Sequence, residues 1–197
     1  ILSTGSPLTD ESFDYIHENW KSNVQVSSIS GGTDIISCFA LGNPISGVYR
    51  GELQCKGLGM DVHSYNEQGE SLIGETGELV CRKPFPSMPI YFWNDFDNVK
   101  YKKSYFSKFN NIWTHGDFIE INHRGGIKIH GRSDATLNPG GVRIGTSEIY
   151  RVLEDLTEID DSLIIGKKYK DDQRIILFVK LTRDFLLNKN LDSKIKS

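Results

Sequence analysis

The stretch from Gly131 to Ile149 constrains this chain more than any other part of it. It holds two arginines, Arg132 and Arg143, an aspartate at Asp134 and the turn Asn138-Pro139-Gly140-Gly141, and it runs into a helical pattern. Such a stretch can gather guanidinium forks and bare backbone N–H groups around a phosphate or a sugar. The texture changes there from β-rich to helical, so the stretch reads as a joint between two domains as well as a site.

The residues before the joint follow an α/β order and then a β order. Thr9 can cap a helix, with Asp10 and Glu11 at its positive end and Phe13, Ile16, His17 and Trp20 on one face. Val24 to Ile29 reads as a strand running into the loop Ser30-Gly31-Gly32-Thr33-Asp34. Ligands of α/β folds collect beyond the carboxyl ends of such strands. From Pro44 to His130 short strands are expected at Val48 to Gln54, Met60 to Tyr65, Glu78 to Cys81, Phe118 to Ile121 and Ile127 to His130. Turns at Asn66-Glu67-Gln68-Gly69 and Asn122-His123-Arg124-Gly125-Gly126 separate some of them. The proline-rich run Lys83 to Pro89 cannot be a central strand. The aromatic run Tyr91, Phe92, Trp93, Phe96, Tyr101, Tyr105, Phe106, Phe109 and Trp113 is expected to pack a small barrel or cover its end.

Past Gly145, Thr146 is a candidate cap and Ile149, Val152, Leu153 and Leu156 form an apolar helix face. Two strands follow, Ser162 to Gly166 and Arg174 to Leu181. Their near-continuous apolar runs predict burial on both faces.

Bulk properties exclude several classes. A net charge of -3 and a pI near 6.0 argue against a general binder of nucleic acid or anionic membranes. No apolar run is long enough to cross a bilayer. Cys38, Cys55 and Cys81 are odd in number and widely spaced, which fits a reducing, cytoplasmic setting better than disulfides or zinc. The chain lacks a P-loop and a dinucleotide fingerprint.

Three constellations can carry chemistry. In Gly31-Gly32-Thr33-Asp34 the glycines allow close backbone approach, the threonine hydroxyl can meet a phosphate and the aspartate can hold Mg²⁺. Taken alone, this is also ordinary turn chemistry. In Trp113-Thr114-His115-Gly116-Asp117 a carboxylate with two oxygens can take both hydroxyls of a ribose, or simply sit in a turn. The third is the joint itself.

In order along the chain, these pieces resemble the adenylate-forming acyl-CoA synthetases. Gly5-Ser6-Pro7 is similar to that family's adenine-contacting turn, and Ser30 to Asp34 to its phosphate and Mg²⁺ loop. Gly74-Glu75-Thr76-Gly77-Glu78-Leu79 is similar to its barrel motif, His115-Gly116-Asp117 to its ribose-binding Gly-Asp, and Gly131 to Asp134 with Gly140 to Ile144 to its hinge. The wording of residues 3–8, 30–35, 83–89 and 134–146 is closest to the branch that activates acetoacetate.

The resemblance implies an AMP-forming acid–thiol ligase. A carboxylate attacks the α-phosphate of Mg-ATP to give an acyl-adenylate, and the thiol of CoA then displaces AMP. By the same resemblance Asp117 and Arg132 hold the ribose, and Thr33 and Arg143 meet phosphate oxygens. Asp34 stands, one methylene shorter, where the family carries a glutamate near Mg²⁺. Asp134 is the hinge, and Gly140 and Gly141 let the pantetheine arm of CoA pass. No catalytic lysine is assigned, because neither the family's lysine-ending phosphate loop nor its C-terminal lysine motif occurs here.

The implied fold is mixed α/β and α+β. Residues 1–45 would end the α/β nucleotide-binding subdomain, 46–133 would form a β-rich, barrel-like subdomain, and 134–197 would be the hinge and the beginning of the small C-terminal domain. The chain is thus expected to be a piece of a longer enzyme, inactive alone, with an apolar face open to self-association. Its expected partners are acetoacetate, ATP and CoA, with neither nucleic acid nor membrane. Two alternatives remain at this point: a ligase for another short-chain acid, or a nucleotide-binding module without catalysis.

Overall fold

The structure is a computed structural model that describes every residue except 136, 138–143, 170, 171 and 197, and the side chains of all of these except 147, 148, 168, 172 and 173. Two compact units divide the chain, Ile1–Gly131 and Arg132–Ser197.

The first unit opens with β1 (Leu2–Ser3), which pairs in parallel with β2 (Ser27–Ser28). Between them runs α1 (Asp10–Tyr15), continued by a π-helical segment, Ile16–Trp20. Thr9 caps α1 as expected, its Oγ1 accepting from the Ser12 amide at 3.3 Å. Phe13, Ile16 and Val26 form a small core under this helix. The expected apolar face stops there: the wider π turn rotates Trp20 out to 66% exposure. The strand expected over residues 24–29 shrinks to two residues, because the chain leaves β2 to start a hairpin.

That hairpin is β3 (Ser30–Gly32) and β4 (Ser37–Leu41), joined on its far side by β5 (Cys55–Lys56). A second, five-stranded sheet holds β6 (Val62–Tyr65), β7 (Ser71–Leu72), β8 (Thr76–Cys81), β9 (Trp113–Ile121) and β10 (Ile127–Arg132) in the order β10-β9-β8-β6-β7. Antiparallel neighbours set its register, with Ser64 opposite Leu79 and Glu78 opposite Phe118. Leu53 and Ile127 exchange both backbone hydrogen bonds, 2.8 and 2.9 Å, and tie the two sheets together. The β-rich middle is therefore real, but its sheets stay open and do not close into a barrel. The strand expected at Val48 to Gln54 is instead a loop pinned by side chains, with Arg50 on Asp14 at 3.0 Å and Arg124 lying 4.3 Å from the Tyr49 ring centre.

β8 is buried from Gly77 to Cys81, as a central strand covered on both sides must be. Beside it, Trp113 is the largest fully buried side chain, ringed by Phe39, Phe85, Tyr101, Tyr105 and Phe106. The aromatic run is thus split. Phe92, the α2 (Val99–Tyr105) residues Tyr101 and Tyr105, Phe106 and Trp113 pack the core, whereas Tyr91, Trp93 and Phe96 are exposed.

In the second unit, Leu137 and Ile144 are paired as an isolated antiparallel bridge. α3 (Thr146–Glu154) starts at Thr146 itself, and β11 (Ile159–Tyr169) and β12 (Asp172–Leu181) form one long antiparallel hairpin. α4 (Lys189–Lys196) contributes Ile195 to a core built on Leu137, Leu153 and Ile164. Val152, expected in the helix face, is exposed. The hairpin is also not buried on both faces. Leu163 stands opposite Phe178 and Ile165 opposite Ile176, and this face leaves Leu163, Ile165 and Phe178 exposed while Ile164 faces the core.

Candidate functional site

Three of the sequence motifs converge in the first unit, and parallel pairing brings the first two together. Ser27 lies opposite Leu2 and Ser28 opposite Ser3, and the Ile29 amide donates to the Ser3 carbonyl at 2.9 Å. Gly5-Ser6-Pro7 and Ser30 to Asp34 therefore leave the carboxyl ends of adjacent parallel strands, the position where α/β sheets hold ligands. Gly5, Ser6 and Pro7 are all exposed, and Gly5 has φ 95°.

The expected loop over Ser30 to Asp34 is a tight hairpin with a register shift between Ser30 and Gly31. Gly31 is obligatory there: a Cβ would lie 1.9 Å from the Ser37 carbonyl oxygen. At Gly32 a Cβ would lie 2.8 Å from Cε1 of His115. The two glycines admit a backbone and an imidazole, so their first explanation is packing of the site's own parts. Thr33 and Asp34 are exposed at the turn, and the Asp34 carboxylate accepts the hydroxyl proton of Tyr105. Ile36, just beyond, holds φ 46°, a conformation β-branched residues rarely adopt and one that clusters at functional sites.

The third motif enters through an irregularity in β9. Across β8 and β9 the register slips between Glu78 and Val80, leaving His115, Gly116 and Asp117 opposite Leu79 alone. Bulges of this kind re-aim side chains beside active sites. Gly116 allows it with φ 85°. Its amide donates to Oε1 of the buried Glu78 at 3.0 Å, while Lys108 Nζ approaches Oε2 at 2.7 Å. The bulge sets His115 against the hairpin, Nε2 being 3.1 Å from the Gly31 carbonyl oxygen and 3.7 Å from Oδ2 of Asp117. Asp117, a ribose candidate, is thus one imidazole away from the Gly31–Gly32 strand. It is 7% exposed, so its carboxylate is largely shielded from water and its charge acts at short range in low dielectric.

His115, Glu78 and Tyr105 were not among the sequence candidates for ligand contact. His115 and Glu78 both lie inside motifs singled out in the sequence, His115-Gly116-Asp117 and Gly74 to Leu79, but Gly116 is expected there in a turn before the strand Phe118 to Ile121, so the bulge that aims them carries no local signal. Tyr105 carried no signal, because its partner lies far away in sequence.

The remaining candidates fall in the second unit. Arg132 ends β10, and its guanidinium grips Asp134 through Nε–Oδ1 at 2.8 Å and Nη2–Oδ2 at 2.5 Å. This two-pronged pair is well exposed and spans the turn after β10. Gly140, Gly141 and Arg143 lie outside the described residues. Among the described residues, no group of three or more His, Cys, Asp or Glu side chains could hold a metal ion, and no helix is long and apolar enough to cross a membrane. All three cysteines are free thiols.

A separate polar cluster lies at the far edge of the five-stranded sheet. His63 meets Ser71 Oγ through Nδ1 at 2.5 Å and Asp61 through Nε2 at 3.0 Å, and Arg82 grips the same carboxylate. Burial pushes the His63 imidazole below its usual 6.5, and the Lys56 and Arg82 charges add to this against the pull of Asp61. For Asp61 burial raises the carboxyl, but Arg82 and His63 together bring it below 3.8. Both groups bind fewer protons folded than unfolded, so stability rises with pH through each range. We expect stability to fall as pH drops below 6.5 and again below 3.8. The His63 ring protons should titrate with a midpoint under 6.5 by NMR. A midpoint above 6.5 contradicts this.

No family model matches the chain. The acetoacetyl-coenzyme A synthetase of Rhizobium meliloti (strain 1021) is 55% identical over 197 residues, covering 100% of this chain and 30% of that protein. A solved acetoacetyl-CoA synthetase from Streptomyces lividans superposes with a TM-score of 0.86 at 44% identity, over 99% of this chain and 30% of that one. The anthranilate CoA ligase AuaEII, at 19% identity and a TM-score of 0.71, shares the fold alone, over 98% of this chain and 36% of that chain. The chain therefore spans about 30% of the length of the curated relatives it matches. Along that whole span it is related to the acetoacetyl-CoA synthetases and has the mixed α/β fold of the adenylate-forming enzymes.

Proposed function

We propose that this chain supplies the nucleotide cradle of an ATP-dependent, AMP-forming acetoacetate–CoA ligase. The observation that carries the reading is the meeting of three motifs in one unit: the turn after β1, the glycine hairpin after β2 and the β9 bulge that bears His115 and Asp117. In this reading Gly5, Ser6 and Pro7 border the adenine. Ser30, Gly31, Gly32 and Thr33 border the phosphates, and Asp117 accepts the ribose hydroxyls. Arg132 as a second ribose ligand, Arg143 as a phosphate ligand, Asp134 as hinge, and Gly140 and Gly141 beside the pantetheine of CoA rest on the family resemblance. So does the division into residues 1–45, 46–133 and 134–197.

Mg²⁺ is bound in such sites largely by phosphates and water, with only one or two carboxylates. Asp34 is suited to be one of these: it is exposed, on the hairpin turn, and next in sequence to Thr33. When bound, the ion would neutralise charge on the phosphates. The chain's own part is to position and to shield. His115 fixes the strand that carries Gly31, and the bulge keeps Asp117 out of bulk water. Three widely spaced cysteines, all free thiols, are consistent with a reducing, cytoplasmic setting. Leu163, Ile165 and Phe178 supply the apolar surface through which the chain would self-associate.

Calorimetric titration with a non-hydrolysable acetoacetyl-adenylate analogue tests the reading. Asp117→Ala removes a charged acceptor from two ribose hydroxyls. It should weaken binding by about 1–3 kcal/mol, or roughly 5- to 150-fold. Affinity equal to that of the unaltered chain would remove Asp117 from the site.

A further inference from the structure

The hairpin turn that carries Asp34 is tied to the core through one side chain the proposed reaction does not use. Tyr105, the last residue of α2, donates its hydroxyl to the Asp34 carboxylate across 71 positions of sequence. The same ring lies flat on Trp113, with centroids 3.6 Å apart and planes 13° apart. Trp113 is 1% exposed and sits on β9, two residues before His115. β9 thus holds the hairpin at two points: His115 at the Gly31 carbonyl, and Trp113, through Tyr105, at Asp34.

Stability alone does not account for the second grip. An exposed carboxylate is well solvated by water, so the phenol replaces hydrogen bonds that water would otherwise make, and only the difference counts toward stability. What the phenol does supply is direction. It selects one orientation of a short carboxylate that would otherwise sample several, and the stacked ring cannot swing away without leaving the buried indole.

We propose that Tyr105 is a positioning residue for the phosphate-and-metal turn, orienting Asp34 toward Mg²⁺ and coupling that turn to Trp113 in the core. This rests on the reading of Asp34 given above. It also makes Trp113 a built-in reporter, since Trp20 and Trp93 are 66% and 84% exposed and can be replaced by phenylalanine without touching the core.

The test titrates a non-hydrolysable ATP analogue, with and without Mg²⁺, into the Trp20→Phe/Trp93→Phe chain, following Trp113 emission and affinity. Tyr105→Phe keeps the stacked ring and removes only the hydroxyl. Its Mg²⁺-free affinity should be unchanged, while the tightening produced by Mg²⁺ falls at least threefold and the Mg²⁺-dependent change in Trp113 emission disappears. Asp34→Asn should show the same loss, and the double variant no further loss. An undiminished Mg²⁺ effect in Tyr105→Phe, with a diminished one in Asp34→Asn, overturns the role of Tyr105 and leaves the metal role of Asp34 standing. Failure of the parent chain to bind the nucleotide at all overturns both.

Discussion

Trp113→Ala should destabilise the chain by about 3–5 kcal/mol in urea unfolding, the range for removing a large aromatic from a packed core. The indole is 1% exposed and contacts five aromatic rings, four edge-on or tilted and one stacked. These neighbours belong to β4, to the loop after β8, and to α2 and the residue that follows it, so no single element can collapse to fill the void. Trp93→Ala is the internal comparison. Trp93 lies in the same aromatic stretch but is 84% exposed, and its loss should shift stability by no more than about 0.5 kcal/mol. Equal effects at the two positions would mean that the core is not where the structure puts it. Loss of Trp113 also removes the surface on which Tyr105 rests, so nucleotide binding should weaken with stability.

Gly31→Ala should be strongly destabilising. The new Cβ would lie 1.9 Å from the Ser37 carbonyl oxygen and 2.9 Å from the Cys38 Cα, both backbone atoms in the partner strand. Neither can move without opening the β3–β4 pair. Overpacking of this kind costs about 1–3 kcal/mol and occasionally more, and thermal unfolding should show a clear drop in midpoint. Gly32→Ala meets a side chain instead, the His115 ring at 2.8 Å. The ring can rotate, so the stability cost should be smaller. The price appears at the site, because a displaced His115 releases the Gly31 carbonyl and perturbs its neighbour Asp117. A Gly31→Ala chain as stable as its parent would show that the hairpin is not paired as described.

Although Gly31 and Gly32, expected in a loop, lie in β3, and Gly116, expected in a turn before the strand, lies inside β9, the Thr9 cap and the chain reversal beside the glycine pair are local signals and were legible. The β9 irregularity was not, because a bulge is defined by the partner strand and the partner is Glu78 to Val80, more than thirty residues away. β4 was overlooked because Ser37-Cys38-Phe39-Ala40-Leu41 lacks alternation and β-branched residues, and its pairing with a glycine strand is a tertiary event. The strands of the second unit read as doubly buried because their apolar residues run on without a break. In fact the hairpin presents Ile164 inward and Leu163 and Ile165 outward. Whether a β-rich segment closes into a barrel depends on the edge strands β7 and β10 meeting, and nothing in local alternation encodes that.

The central claim is that separate backbone turns in residues 1–131 form a cradle for the AMP half of an activated acid. Amide NMR spectra recorded during an AMP titration address it directly. The account predicts saturable shifts confined to the amides of Gly5 and Ser6, Gly31 to Asp34, and His115 to Asp117, abolished or shifted to much higher AMP concentration by Asp117→Ala. Saturable shifts clustered elsewhere, for example along the β6–β7 edge around His63, or no shifts at these turns at saturating AMP, would contradict it.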